Sequence, residues 1–243
     1  MNHSGNLGQP YPPAFQIISQ PSATSCGPAC LHSIYTWYGL ESDLQDIIDK
    51  TPTVKGGGTL AVNLGLHALS RGFKTVLYSC NLRVLDPSWF PGKRKFLVAK
   101  LAASREVRSG NKEKAELASL EQYVNQGGKL TMTALTRSLL RKHLRKGEPL
   151  LTGLSATFLY GHPREIPETG ENDDLRGESE GHFVILHGFD RANNTVTVHD
   201  PYPHSPFGEE LHYPVHIDRL LNAILLGVLT HDANILVLRK KSQ

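Results

Sequence analysis

The sequence predicts an α+β fold, a helical half followed by an antiparallel sheet half. Two patterns carry that expectation. Near the start, Leu31, Ile34, Tyr35 and Tyr38 recur at i, i+3, i+4 and i+7, the apolar stripe of a helix. Late in the chain, Gly181-His182-Phe183-Val184-Ile185-Leu186-His187-Gly188-Phe189 and Thr195-Val196-Thr197-Val198-His199-Asp200-Pro201 are β-rich runs. The turn formers Asp190-Arg191-Ala192-Asn193-Asn194 lie between them, which makes a hairpin. With 243 residues, 39% hydrophobic and 20% charged, the chain can bury a substantial core and has the composition of a globular protein.

In chain order, residues 1–13 are rich in Gly, Asn and Pro and read as a loose arm ahead of a single domain over 14–243. Pro28 has a preset φ and no N–H to lose, so it opens the first helix, and Gly39 stops it. Ser42-Asp43-Leu44-Gln45 is a capping-box pattern for a short helix through Ile48. Gly56-Gly57-Gly58 is a flexible turn rather than a phosphate loop, because no Gly-Lys-Ser/Thr follows, and Thr59 caps a helix reaching Ser70. Residues 74–80 read as a strand. Residues 81–95, with Pro87 and Pro91, read as a loop before a short apolar segment at 96–101. Residues 111–126 form a charged amphipathic helix ended by Gly127-Gly128. Thr133 caps another helix, reaching Lys146, whose Arg137, Arg141, Lys142, Arg145 and Lys146 form a solvated face. Residues 149–155 read as a strand. The segment 161–181 holds seven acidic residues against Arg164 and Arg176, and reads as a long loop, either a mobile flap or a floppy insertion. It runs directly into His182, so its carboxylates would favour basic peptides there.

The chemistry centres on Gln20-Pro-Ser-Ala-Thr-Ser-Cys26-Gly27-Pro28-Ala29. Cys26 falls at the mouth of a helix, where free N–H groups and the positive dipole end favour a thiolate nucleophile. Such a nucleophile needs a base and a group to orient that base. Folding the hairpin about residues 191–192 puts His182 beside Asp200 or one diagonal away. Both positions are even, on the face that also carries Val184, Leu186, Val196 and Val198. A slip of one residue would place the pair on opposite faces.

These residues, in this order and spacing, resemble the papain-like cysteine peptidases, and within them the C39-like branch known from bacteriocin leader-processing peptidases. The likeness covers about residues 14–240. It implies a papain-like fold with the helical half packed on the sheet half and a cleft between them. It implies that Cys26 is the nucleophile, His182 the general base and acid, Asp200 the orienting residue and Gln20 a donor to the oxyanion. Leader-processing members are usually fused to a membrane transporter and an ATPase, and neither is present here. The longest apolar run, residues 220–229, spans about ten residues, short of the ~20 needed to cross a bilayer. Cleavage after a double-glycine leader therefore does not carry over. The expected activity is hydrolysis of a peptide or isopeptide bond through a Cys26 thioester. The alternatives are an acyl or peptidyl transferase using the same residues, and a catalytically silent peptide-binding module.

The expected partner is a peptide or protein substrate. A net charge of +3 is too small to argue for nucleic acid. Three cysteines, Cys26, Cys30 and Cys80, make no disulfide framework and suit a reducing compartment, with Cys30 a turn beyond Cys26 and packed inside. No signal peptide is visible, so the cytoplasm is expected, and a signal-independent secretion route would look the same. Among twelve histidines, His199, His204, His212 and His216 cluster, but Pro214 breaks any helix presenting the last two together. No metal and no cofactor is expected.

Overall fold

The helix announced by the apolar stripe, α1 (Cys26–Trp37), begins two residues before Pro28, with Ser25 ahead of it. Pro28 is its third residue, where the N–H would have had no intrahelical partner. Gly39, at φ +67°, turns the chain out of the helix. The computed structural model describes residues 15–53, 58–208 and 210–240. The arm at 1–13 and Gly56-Gly57 of the flexible turn lie outside them.

Several helix starts differ from the expected ones, and in each case a competing local hydrogen bond decides. The second helix, α2 (Leu44–Lys50), is capped by Asp43, whose carboxylate accepts from the Asp46 N–H, and not by Ser42. Thr59 does not cap α3 (Ala61–Ser70); its hydroxyl donates to the Pro52 carbonyl instead. The expected short segment at 96–101 is the inner part of a full helix, α4 (Arg94–Val107), with Leu97 and Leu101 buried four residues apart. It pairs with α5 (Asn111–Asn125). Thr136 rather than Thr133 caps α6 (Arg137–Leu144). A one-turn helix, α7 (Ala156–Tyr160), capped by Ser155, precedes the acidic loop, and α8 (Ile217–Leu226) comes late.

One sheet organises the chain: β1 (Lys74–Ser79), β2 (Lys129–Thr131), β3 (Leu150–Ser155), β4 (Gly181–Asp190), β5 (Thr195–His199), β6 (His212–His216) and β7 (Asn234–Arg239). Their spatial order is β2-β1-β7-β3-β4-β5-β6, with only β1 and β2 parallel. Alternation along the strands divides the core in two. Leu151, Phe183, Ile185, Leu236 and Leu238 pack under α1, α3 and α5. Leu150, Leu154, Val184, Leu186, Val196 and Val198 pack with α6 and α8 on the other side. Pro214 sits in β6, the last strand of the order, where a missing N–H costs no interior bond.

The hairpin closes as the turn residues dictate. Asp190 accepts from the N–H groups of Ala192 and Asn193, and Asn194 takes φ +53°. Near its open end the register pairs Ile185 with His199 and Leu186 with Val198. Toward the turn it shifts by one residue at a bulge containing Gly188, at φ +97°. The acidic loop before β4 is stitched to itself: Glu165 bridges Asn172 and Glu178, and Asp173 accepts from the N–H groups of Leu175 and Arg176. Among the described residues no helix is long and apolar enough to cross a membrane.

Candidate active site

Continuing the Ile185–His199 pairing puts Asp200 opposite Val184, so His182 is its diagonal neighbour on the same face. The two side chains meet: His182 Nε2 lies 2.8 Å from Asp200 Oδ1. That leaves Nδ1 free of the carboxylate, and Cys26 lies close enough to act on the imidazole. Cys26 is the first residue of α1, buried against the sheet, and Phe183, next to His182, packs beneath that helix end. The structure thus brings Cys26, His182 and Asp200 together from a helix start, a strand start and the residue after a strand.

Asp200 is fully buried and accepts four hydrogen bonds. Oδ1 takes His182 Nε2 and the Tyr202 N–H (2.9 Å). Oδ2 takes the hydroxyls of Tyr160 (2.7 Å) and Tyr213 (2.6 Å). Burial works to raise its pKa, but His182, Tyr213 and the Tyr202 N–H together outweigh it and hold the carboxyl below its ordinary value. Burial likewise works against a charged His182. The hydrogen bonds and charges of Asp200 and Cys26 prevail, and its pKa is pushed up to about 10.

Nothing in the sequence singles out Tyr160 or Tyr213 as partners of Asp200. The one available signal is that a buried tyrosine needs a partner for its hydroxyl. Tyr213 does follow from alternation in β6, where Tyr213 and Val215 are buried and their neighbours are exposed.

Gln20 lies in the loop before α1. Its backbone N–H donates to Pro201 O (2.9 Å), which ties this loop to the residue after Asp200. Its Nε2 donates to Ser22 O (2.9 Å), while its Oε1 is buried without a partner. The second Nε2 hydrogen remains for another acceptor. Cys30 is fully buried, one turn along α1, and its thiol donates to the Phe183 carbonyl, a packing position. Among the described residues no group of three or more His, Cys, Asp or Glu side chains could hold a metal ion.

Residues 93–219, just over half of the chain, match the Peptidase_C39 like family. The match takes in His182 and Asp200 and begins downstream of Gln20 and Cys26. A comparison with curated proteins finds no match. Among solved structures, the peptidase domain of Streptococcus ComA, a bi-functional ABC transporter involved in a quorum sensing pathway, is similar over 93% of this chain and 99% of that one, with 14% identity and a TM-score of 0.43. Xylellain, a cysteine protease from Xylella fastidiosa, is similar over 95% of this chain and 84% of that one, with 14% identity and a TM-score of 0.48. By its sequence match, and with the cysteine-bearing helix packed on an antiparallel sheet that carries the histidine, this chain belongs to the peptidase C39-like family.

Proposed function

We propose that the chain is a thiol-dependent amide hydrolase, cutting a peptide or isopeptide bond through an acyl-enzyme on Cys26. The observation that supports this most is His182 set between the buried Asp200 carboxylate, 2.8 Å from its Nε2, and Cys26 at the start of α1. In this reading the Cys26 thiolate attacks the substrate carbonyl, and the oxyanion that forms is met by the Cys26 N–H and by the free hydrogen of Gln20 Nε2. As the C–N bond breaks, His182 gives its proton to the leaving amine. Neutral His182 then takes a proton from water, whose oxygen attacks the thioester. The C–S bond breaks, the acid leaves, and the thiolate–imidazolium pair is restored. Asp200 keeps Nε2 protonated and Nδ1 turned to sulfur throughout.

The test uses the chain with Cys30→Ser and Cys80→Ser, treated with a peptide carrying a thiol-directed electrophile and read by intact mass and peptide mapping. One adduct, on Cys26, is expected, together with peptide cleavage that disappears in Cys26→Ala. A folded chain that gives no adduct at Cys26, or cleavage that survives Cys26→Ala, would sink the proposal.

A further inference from the structure

Asp232 has no part in the chemistry above, yet it lies beside it. It follows His231, whose backbone takes the left-handed conformation at φ +72°, a strained choice for a residue with a side chain. The Asp232 N–H is tied to the Gly227 carbonyl at 2.7 Å, which fixes the turn. The carboxyl it presents is about nine-tenths buried. It lies over the backbone of Gly181, the residue before His182, so closely that a Cβ at Gly181 would collide with Oδ2. A Cβ at Gly153, on the neighbouring strand, would collide with Asp232 as well. Gly181 shares the sheet face of Phe183, where α1 packs, and the two residues are about 7 Å apart along the strand. Gly181 itself is only partly buried.

The polar groups nearby are committed elsewhere. His231 Nδ1 bonds Glu116 at 2.8 Å, and Asn81 donates to the other Glu116 oxygen at 2.9 Å. Among the described residues Asp232 forms no ion pair. The Thr230 hydroxyl beside its carboxyl donates to the Gly227 carbonyl at 3.1 Å, and Lys112 and His182 act on it through charge alone. A buried carboxylate without a cation is costly, and the group responds by holding its proton. Burial first, with Glu116 adding and Thr230, Lys112 and His182 opposing, raises its pKa to about 7. A cation brought alongside would release that proton to solvent and leave an ion pair.

The geometry points to Asp232 as a specificity residue that receives a cationic substrate side chain, a lysine ammonium or an arginine guanidinium, within one or two residues of the bond presented to Cys26. This rests on the amide-hydrolase reading for the identity of that bond. The exposed carboxylate of Glu180, next to Gly181, and the acidic loop behind it would draw the same charge from a distance.

The test compares peptides that differ at one position, scanned along the sequence as Lys, Arg, norleucine or Glu. kcat/KM is measured on the full chain and on Asp232→Asn, and binding by fluorescence anisotropy on Cys26→Ala. At one position the natural chain should prefer Lys or Arg to norleucine by tenfold or more, and Asp232→Asn should shrink that ratio to about twofold. The ratio is internal to each variant, so a general loss of rate cancels. If nothing is cleaved, the hydrolase reading falls, but the same preference in binding to Cys26→Ala would still support the pocket. A natural chain with no cationic preference in cleavage or binding, or a preference intact in folded Asp232→Asn, overturns it. The first of these needs no variant to fold.

Discussion

Replacing Tyr213 by Phe removes one hydroxyl from a carboxylate and leaves the ring's packing in place. Asp200 accepts four hydrogen bonds, and Oδ2 depends wholly on Tyr160 and Tyr213. A hydrogen bond to a charged group is worth about 1.5–3 kcal/mol, which at about 1.4 kcal/mol per decade is roughly a ten- to hundredfold weakening of the ionised form. Denaturant unfolding at pH 7 should therefore show Tyr213→Phe less stable by about 1.5–3 kcal/mol. Because the Asp200 charge helps hold His182 protonated, kcat/KM should fall by up to about a hundredfold, carried by kcat. The pH dependence supplies the sign. The folded pKa of Asp200 lies below its ordinary 3.8, so its stabilisation is present above that value and lost as the pH falls through the lowered one. The stability gap between Tyr213→Phe and the natural chain should therefore narrow in acid. A gap that does not shrink as the pH falls through that lowered value would mean lost packing rather than a lost hydrogen bond to a charge. A variant as stable and as active as the natural chain at pH 7 would refute the carboxylate clamp outright.

Gln20→Ala should lower kcat by about 10²–10³ with little change in KM, as loss of an oxyanion donor does; a change confined to KM would make Gln20 a binding residue. Asp200→Asn should cost less activity than His182→Ala, since an amide oxygen can still orient the ring while its NH₂ faces the two tyrosine oxygens; equal, complete loss in a folded chain would show that the charge itself is required. His199 is buried among Phe15, His187 and His212, and burial first, then the nearby histidines, lowers its pKa to about 4. The unfolded chain binds that proton near 6.5, so stability is full above 6.5 and drains toward pH 4, by about 3 kcal/mol in all. His199→Phe should flatten the fall in unfolding free energy between pH 7 and pH 4.5, and an unchanged slope would count against a buried neutral His199.

What the sequence reveals of the site follows from how local each constraint is. Alternation in residues 182–200 points to the meeting of His182 and Asp200, but their shared face also depends on the one-residue shift at the Gly188 bulge, which alternation does not show. Pro28 and Gly39 bracket a helix that must start near Cys26, though Pro28 tolerates any position in the first turn and so leaves the start open by two residues. Helix caps are less readable, because Thr133 and Thr136 are equally good side chains and only the tertiary position of α6 separates them. The parts played by Tyr160, Tyr213 and Asp232 could not be read, though alternation in β6 does give the burial of Tyr213. Each acts through a partner distant in sequence, brought near only when β6 joins β5 and the turn before β7 folds over β4.

The bond from the Gln20 N–H to the Pro201 carbonyl has a mechanical meaning beyond its modest strength. It joins two segments of the site that are distant in sequence. On one side is the loop that leads into the nucleophile, and on the other is the residue after the carboxylate that aligns the base. The bond's net worth of about 0.5–1.5 kcal/mol biases the two segments toward this alignment. A proline at position 20, which has no N–H to give, would remove that bias and leave the nucleophile's loop free of the segment behind the aligning carboxylate.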